Sequence, residues 1–119
     1  MNYKIIILAM LLLAGTVFAT DINTCQKLQD MNLALGGTYV LTGDIDCTAT
    51  SGWNGGAGFQ PVGNNTSNFS GTFNGAGFKI TGLYINRPTT SYVGLFGAIS
   101  SASTVQNVIL EGVNITGIC

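Results

Sequence analysis

Glycine and large apolar residues alternate at short intervals in the stretch FSGTFNGAGFKITGLYIN, which spans residues 69–86. A flexible linker has glycine without the apolar residues, and an ordinary strand has the apolar residues without the glycine. Glycine permits sharp bends, including bends with positive φ, and the apolar residues between the bends form short buried strands. The stretch therefore predicts short strands whose inward residues are Phe73, Ile80, Leu83 and Ile85. The predicted corners are Gly71, Gly75, Gly77 and Gly82.

Strand-like segments of this kind continue along most of the chain. Their apolar positions repeat, because Ile80 and Ile85 match Val105 and Leu110 at a constant offset of 25 residues. Self-similarity at a period of roughly 20 to 50 residues is typical of stacked repeats, so we predict an all-β fold, a parallel β-helix of about three coils. An antiparallel sandwich of short hairpins is the alternative, and it would show no constant offset. The predicted strands are 38–41, 44–47, 69–73, 78–80, 83–86, 93–98, 105–110 and 113–116.

One amphipathic segment, residues 22–35, precedes the strands. Asn23 is positioned to cap a helix there, and Gly36 ends the periodic pattern. The segment predicts an N-terminal capping α-helix that covers the first coil. Its apolar stripe consists of Cys25, Leu28, Met31 and Leu35.

The first nineteen residues have the form of a secretory signal. Lys4 precedes an unbroken apolar run over residues 5–13, and Ala19 stands at a suitable cleavage position. The run is shorter than the ~20 residues that a membrane span requires. We predict a signal peptide over residues 1–19, then one capped β-helix domain over residues 20–119, the start of a longer solenoid. The expected location is secreted or at the cell surface.

Charge and composition weigh against several functional classes. Without the signal, the chain has five acidic residues and three basic ones, which are Lys27, Lys79 and Arg87. It therefore has no excess of positive charge that would attract nucleic acid or anionic lipid. The sequence has no histidine, the most common general base and metal ligand. Asp44 and Asp46 share one face of a strand, but Ca²⁺ needs roughly six to eight oxygen ligands. We predict no enzymatic activity, no metal, no cofactor and no membrane insertion of the mature chain.

Three cysteines would enter an oxidising compartment on export. Cys25 and Cys47 are predicted to pair and to join the helix to the first coil, which leaves Cys119 as the odd cysteine. The last predicted strand is apolar and is not followed by a polar cap. We therefore expect Ile115 and Ile118 to lie at an open edge and to support end-to-end self-association.

Residues 48–68 form a long excursion rich in Gly, Ser, Asn and Thr. Three aromatic residues, Trp53, Phe59 and Tyr92, are candidate contacts for a glycan or protein ligand. The alternative is that they fix the excursion against the side of the stack. Four asparagines begin N-x-S/T sequons and are candidates for glycosylation. They are Asn64, Asn65, Asn68 and Asn114.

Taken together, these segments resemble the GLUG-motif β-helix proteins, a group of surface proteins similar to filamentous haemagglutinin and other adhesins. The matching residues are QPVG at 60–63, FSGTFNGAGF at 69–78, VGLFG at 93–97 and VQNV at 105–108. The resemblance implies a right-handed parallel β-helix, in agreement with the usual hand of parallel crossovers. It implies no catalytic residue at these positions. The chain is much shorter than such proteins.

The sequence thus favours a secreted or surface-displayed module with a structural or adhesive role and an unidentified glycan or protein ligand. Two alternatives stay open. The first is an accessory region of a larger secreted metallopeptidase of the IgA-cleaving type, which would carry a downstream HExxH motif. The second is a carbohydrate-active β-helix enzyme, which would present several acidic residues and a basic partner in one groove.

Overall fold

The computed structural model describes residues 18–118, so Cys119 and most of the predicted signal peptide lie outside the described residues. Short strands predominate in this part of the chain, with one short helix and three 3₁₀ turns. The strands are β1 (Thr20–Ile22), β2 (Thr38–Leu41), β3 (Ile45–Asp46), β4 (Thr72–Asn74), β5 (Lys79–Thr81), β6 (Tyr84–Asn86), β7 (Thr104–Gln106), β8 (Ile109–Glu111) and β9 (Asn114–Thr116). Helix α1 spans Cys25–Asp30, and the 3₁₀ turns span Met31–Leu33, Thr48–Gly52 and Asn54–Gly56.

The strands pair in parallel and form three sheets with the orders β1-β2-β4-β7, β3-β5-β8 and β6-β9. From β2 onwards, consecutive strands belong to different sheets, so the chain visits the sheets in turn. We call β2–β3 the first layer, β4–β6 the middle layer and β7–β9 the last layer. Phe73 in the middle layer pairs with Tyr39 in the first layer and with Val105 in the last. The predicted all-β character with parallel strands is confirmed.

The predicted 25-residue period is wrong as a pairing register. Ile80 pairs with Leu110 and Ile85 pairs with Ile115, so these partners lie 30 residues apart. An offset of 25 instead superposes β5 and β6 on β7 and β8, which belong to the neighbouring side of the stack. Each side alternates inward apolar and outward residues in the same way. The pattern therefore also matches when it is shifted by one side.

Three predicted strands are interrupted in the structure. In the predicted strand 69–73, an isolated bridge forms at Phe69 and β4 begins only at Thr72. Residues 93–98 form no continuous strand, and isolated bridges join Val62 to Phe96 and Phe69 to Ile99. The predicted strand 105–110 is divided by Asn107, which has φ +57° and turns the chain from β7 into β8. Asparagine tolerates this left-handed conformation without the glycine that marks most corners of this chain. Little in the sequence therefore indicates a turn at this position.

Helix α1 is shorter than the predicted residues 22–35. Ile22 belongs to β1 and pairs with Leu41, because an apolar residue beside an open strand edge gains both a core position and ladder hydrogen bonds. The N-cap is Thr24 rather than Asn23, and its hydroxyl accepts a backbone N–H of the first turn. Across residues 18–118, no helix has the length and apolar character of a membrane span.

The core combines inward residues of the strands with buried residues of the helix and of the segments between strands. Phe73, Ile80, Leu83 and Ile85 are fully buried, as predicted for the middle layer. Leu28 of α1 is also fully buried and belongs to the same hydrophobic cluster. The helix and the strands therefore share one core.

Two of the predicted corner glycines have a different role. Gly77 and Gly82 have φ angles of +84° and +70°, as expected for corners. Gly71 and Gly75 lack positive φ, but a Cβ at either position would overlap a backbone carbonyl of an adjacent part of the stack. Glycine at these two positions therefore allows close approach of neighbouring backbones.

Candidate functional site

Cys25 and Cys47 form a disulfide, with their Cα atoms 5.4 Å apart. Cys25 begins α1, Cys47 directly follows β3, and both residues are buried. The bond fastens the helix to the first layer. Behind it lies Thr50, a buried polar residue that the sequence analysis missed. Its hydroxyl donates to the Cys47 carbonyl at 2.6 Å and accepts from the Tyr84 N–H at 2.9 Å.

Asp44 and Asp46 are each engaged in a backbone hydrogen bond. Asp44 Oδ1 accepts from the N–H of Lys79 in the middle layer at 2.8 Å. Asp46 Oδ1 accepts from the N–H of Thr48 at 2.9 Å, and this hydrogen bond lowers the pKa of Asp46 below its ordinary value. Both carboxylates therefore stabilise the backbone around them. No group of three or more His, Cys, Asp or Glu within residues 18–118 is arranged to hold a metal ion.

The three candidate aromatic residues differ in exposure. Phe59 is fully buried, and its N–H donates to the Tyr84 carbonyl at 2.8 Å. The excursion folds back onto β6 at this point and buries the ring, so Phe59 takes the alternative role of fixing the excursion against the stack, and the prediction of a ligand contact is wrong for it. Trp53 is half-buried and packs against the core, which is the alternative role expected for it. Tyr92 is 56% exposed and is open to a ligand.

The four sequon asparagines are all exposed, and their glycosylation stays a prediction. Asn64 also has a structural role, because its Oδ1 accepts from the N–H groups of Thr66 and Ser67 at 2.9 and 2.8 Å. These hydrogen bonds close a tight turn at the tip of the excursion. The conformation of residues 64–67 is therefore held by the chain itself.

A groove of about 620 Å³ lies between this turn and the loop of residues 89–92. Asn64 and Asn65, predicted as glycosylation sites, and Tyr92, predicted as a ligand contact, line the same groove. The other lining residues were missed, since nothing distinguishes them from ordinary loop residues in the sequence. They are Thr66, Ser67, Thr89, Thr90 and Ser91. No lining residue carries a charge.

The turn at residues 64–67 is anchored at both of its ends. Val62 and Phe69 flank it, and both side chains are fully buried. The Val62 N–H donates to the Leu95 carbonyl at 2.9 Å, and the Phe69 N–H donates to the Ala98 carbonyl at 2.9 Å. This wall of the groove therefore rests on the hydrophobic core.

The second wall, residues 89–92, is hydrogen-bonded to the segments that follow β6 and β9. The Thr90 N–H donates to the Arg87 carbonyl at 3.0 Å, and the Thr90 carbonyl accepts from the Ile118 N–H at 2.9 Å. Tyr92 has φ +60°. A residue other than glycine in this left-handed region carries a strain of about 1–3 kcal/mol, which the surrounding structure must offset.

The last layer exposes apolar side chains that point toward the inside of the stack. Leu110 and Ile115 are 37% and 36% exposed, whereas their register partners Ile80 and Ile85 are fully buried. Among the described residues, β7, β8 and β9 each have a strand neighbour on one side. We call this surface the end face. Its exposed apolar residues are Leu110, Val113, Ile115 and Ile118.

No protein-family model matches the chain, and no solved structure matches it. The chain is 40% identical over 95 residues to halomucin of Haloquadratum walsbyi, an alignment that covers 77% of this chain and 1% of halomucin. It is 42% identical over 97 residues to a protein of Evansella cellulosilytica that is described as a Gly-rich membrane protein, and this alignment covers 80% of the chain and 11% of that protein. The chain therefore spans a small part of the length of either relative.

Proposed function

We propose that the chain is a right-handed parallel β-helix module of a secreted or cell-surface protein, with a structural role that involves no catalysis. One observation carries the proposal. The inward residues of successive layers share one register, and those of the last layer are left partly uncovered. Inward apolar residues beside open strand edges form a surface suited to another layer of strands.

The β-helix proposal is supported by the path of the chain. Ile45 pairs with Ile80, which is 35 residues later, and Ile80 pairs with Leu110, which is 30 residues later. Between these returns the chain passes through other sheets, through β4 on the way from β3 to β5 and through β6 and β7 on the way from β5 to β8. An antiparallel sandwich would require antiparallel neighbours. The right-handed sense follows the strong preference of parallel crossovers, and the GLUG-type resemblance favours the same architecture.

The location is supported by the two relatives. The names of halomucin and of the Gly-rich membrane protein are those of surface-type proteins, and each is about 40% identical to most of this chain. The non-catalytic role is supported by Asp44 and Asp46. Both carboxylates accept backbone hydrogen bonds in a structural arrangement.

The structural role predicts that the end face binds a second copy of the chain. This is measurable by sedimentation velocity of the Cys119→Ser variant, in which the odd cysteine is removed and the Cys25–Cys47 bond is kept. We expect a dimer or a larger species whose fraction rises with protein concentration. A monomer across the micromolar range would contradict the proposal.

Two neighbouring residues provide a matched test of the surface involved. Leu110 is the inward partner of Ile80, whereas Ile109 is the outward partner of Lys79, and the two are exposed to a similar extent, 37% and 39%. We expect Leu110→Lys to give monomers and Ile109→Lys to leave self-association unchanged. Ile115→Asp provides a second inward variant if Leu110→Lys fails to fold. Equal effects of the inward and outward variants would show that the end face is not the contact.

A further inference from the structure

We propose that the groove between residues 64–67 and 89–92 binds a neutral, hydroxyl-rich carbohydrate. This inference deepens the surface-module function proposed above, and it rests on that function only for the presence of glycans around the protein. The groove lies on the side of the stack, and its lining does not include the end-face residues Leu110, Val113, Ile115 and Ile118. The two surfaces share no lining side chain, although the Ile118 N–H supports the groove wall at Thr90, so ligand binding and self-association are tested by different substitutions.

The lining has the chemistry that sugars require. Seven of the eight lining residues are Asn, Ser or Thr, and the eighth is Tyr92. Hydroxyl and amide groups both donate and accept hydrogen bonds, so they match the hydroxyl groups of a sugar, which also do both. An apolar small molecule would favour a lining of aliphatic and aromatic side chains.

The absence of charge in the lining narrows the ligand class further. Recognition of phosphate, sulfate or carboxylate groups depends on Arg or Lys, which give charge-assisted hydrogen bonds. The groove is lined by neither residue type. An anionic glycan is therefore disfavoured, and a neutral one is favoured.

Tyr92 supplies the apolar surface that sugar recognition also requires. Its side chain is 56% exposed at the groove, and a tyrosine ring presents an apolar face together with a polar hydroxyl. The strained backbone at φ +60° presents this ring from a tight loop. Strained residues of this kind cluster at binding sites, because the surrounding structure must hold them in place.

Both walls are formed before a ligand arrives. Asn64 Oδ1 closes the first turn through the N–H groups of Thr66 and Ser67, and the Ile118 N–H holds the Thr90 carbonyl in the second. A preformed groove avoids the entropy cost of ordering loops on binding. This is important for carbohydrates, since each sugar hydroxyl gains little net free energy when it exchanges water for protein.

Affinity electrophoresis of the full chain tests the inference. The chain is made in a host without N-glycosylation, so that Asn64 and Asn65 stay unmodified. It is run through gels that contain mannan, galactan, xylan or β-glucan as neutral probes, and alginate as the anionic probe. We expect at least one neutral polysaccharide to retard the chain and alginate to leave it unretarded.

Variants of Tyr92 identify the groove as the binding surface. Tyr92→Asn removes the ring, and asparagine adopts the left-handed backbone readily, so we expect an affinity loss of about tenfold, which corresponds to ~1.4 kcal/mol. Tyr92→Phe keeps the ring and is expected to retain most of the affinity. Ser101→Ala changes an exposed hydroxyl outside the groove and serves as the matched control.

Three results would overturn the inference. They are a lack of retardation by every neutral polysaccharide, retardation by alginate as strong as that by the neutral probes, and equal affinities of Tyr92→Asn and Ser101→Ala. Self-association is measured separately by sedimentation. A chain that dimerises without binding sugar would therefore contradict only this inference, and a monomer that binds sugar would contradict only the structural role.

Discussion

The middle layer and the last layer share a register but differ in burial. Ile80 and Ile85 of the middle layer are fully buried, whereas their partners Leu110 and Ile115 are more than one-third exposed. The side chains are similar in size and point in the same direction. Among the described residues, β3 covers Ile80 and the excursion covers Ile85 at Gly58, whereas Leu110 and Ile115 have no such neighbour. The burial of inward residues therefore depends on what packs over each layer.

The two ends of the described stack differ in the same way. Beside β1 and the first layer lies α1, which places Leu28 in the core and is fastened through Cys25 and Cys47. At the other end, the last layer exposes its inward residues. The helix and the disulfide thus cover one end of the described stack. Substitutions in the covered and the exposed regions should therefore differ in their effect on stability.

The largest effect is expected where an inward aromatic residue is fully covered. Phe73 is fully buried and its ring lies 5.4 Å from that of Phe96, so Phe73→Ala should lower the free energy of unfolding by about 3–5 kcal/mol. Its partner Val105 is only partly buried, and Val105→Ala should cost about 1 kcal/mol. Urea unfolding of both variants measures the difference. Equal losses would show that the last layer is as well covered as the middle one.

The covered end is expected to depend strongly on its disulfide. Replacement of Cys25 and Cys47 by serine should lower the free energy of unfolding by about 3 kcal/mol, because the bond closes a loop of 22 residues in the unfolded chain. Thermal unfolding in the Cys119→Ser background measures this loss. A loss below about 1 kcal/mol would mean that packing of α1 alone holds the covered end.

The next largest effect on stability is expected where the backbones of two layers approach each other closely. A Cβ at Gly71 would overlap the Gly37 carbonyl, so Gly71→Ala must shift backbone and should cost about 1–3 kcal/mol. Gly43 has open space around its Cα and no positive φ, and Gly43→Ala should be neutral or stabilising by up to about 1 kcal/mol. Urea midpoints compare the two variants. If Gly71→Ala is also neutral, the layers are looser than the structure describes.

Strand positions and inward residues were predictable because alternation is a local property. Strand β2 has the predicted bounds, 38–41, and Phe73 and Ile80 are buried as expected. The register was not predictable, since every side of the stack has the same alternation and a match shifted by one side fits equally well. The role of Gly71 was also missed, because the carbonyl that excludes a Cβ belongs to another layer.

The composition of the groove was even harder to predict from the sequence than the register. Tyr92 was identified from its aromatic character, and Asn64 and Asn65 from their sequons. Their common position depends on the fold, which brings residues 64–67 and 89–92 together although the two loops are far apart in the sequence. For Phe59 the sequence leaves two roles open, a ligand contact or an anchor of the excursion, because the contact with β6 that decides between them is non-local.

The smallest effect concerns two outward carboxylates of the same ladder column. Asp46 of the first layer and Glu111 of the last both pair with Thr81 of the middle layer. Glu111 forms an exposed ion pair with Lys79 at 3.2 Å, and such a pair is worth about 0–1 kcal/mol. Asp46 instead accepts the backbone N–H of Thr48. We therefore expect Glu111→Gln to have a small, salt-sensitive effect on stability, and Asp46→Ala to have a pH-dependent one.

The sign of that pH dependence follows from the hydrogen bond. Because the Thr48 N–H lowers the pKa of Asp46 in the folded chain, folding favours the ionised carboxylate. Its stabilising contribution is therefore fully present above the ordinary aspartate value of about 3.9, and it is lost as the pH falls through the lowered folded value. Urea midpoints of wild type and Asp46→Ala should differ at pH 7 and converge in acid. The Asp46→Asn variant has an acceptor oxygen at this position but no ionisable group. Its urea midpoint should therefore lack the pH dependence that Asp46 contributes. A gap between wild type and Asp46→Ala that widens in acid would mean that Asp46 destabilises the turn when ionised, contrary to the hydrogen bond that it accepts.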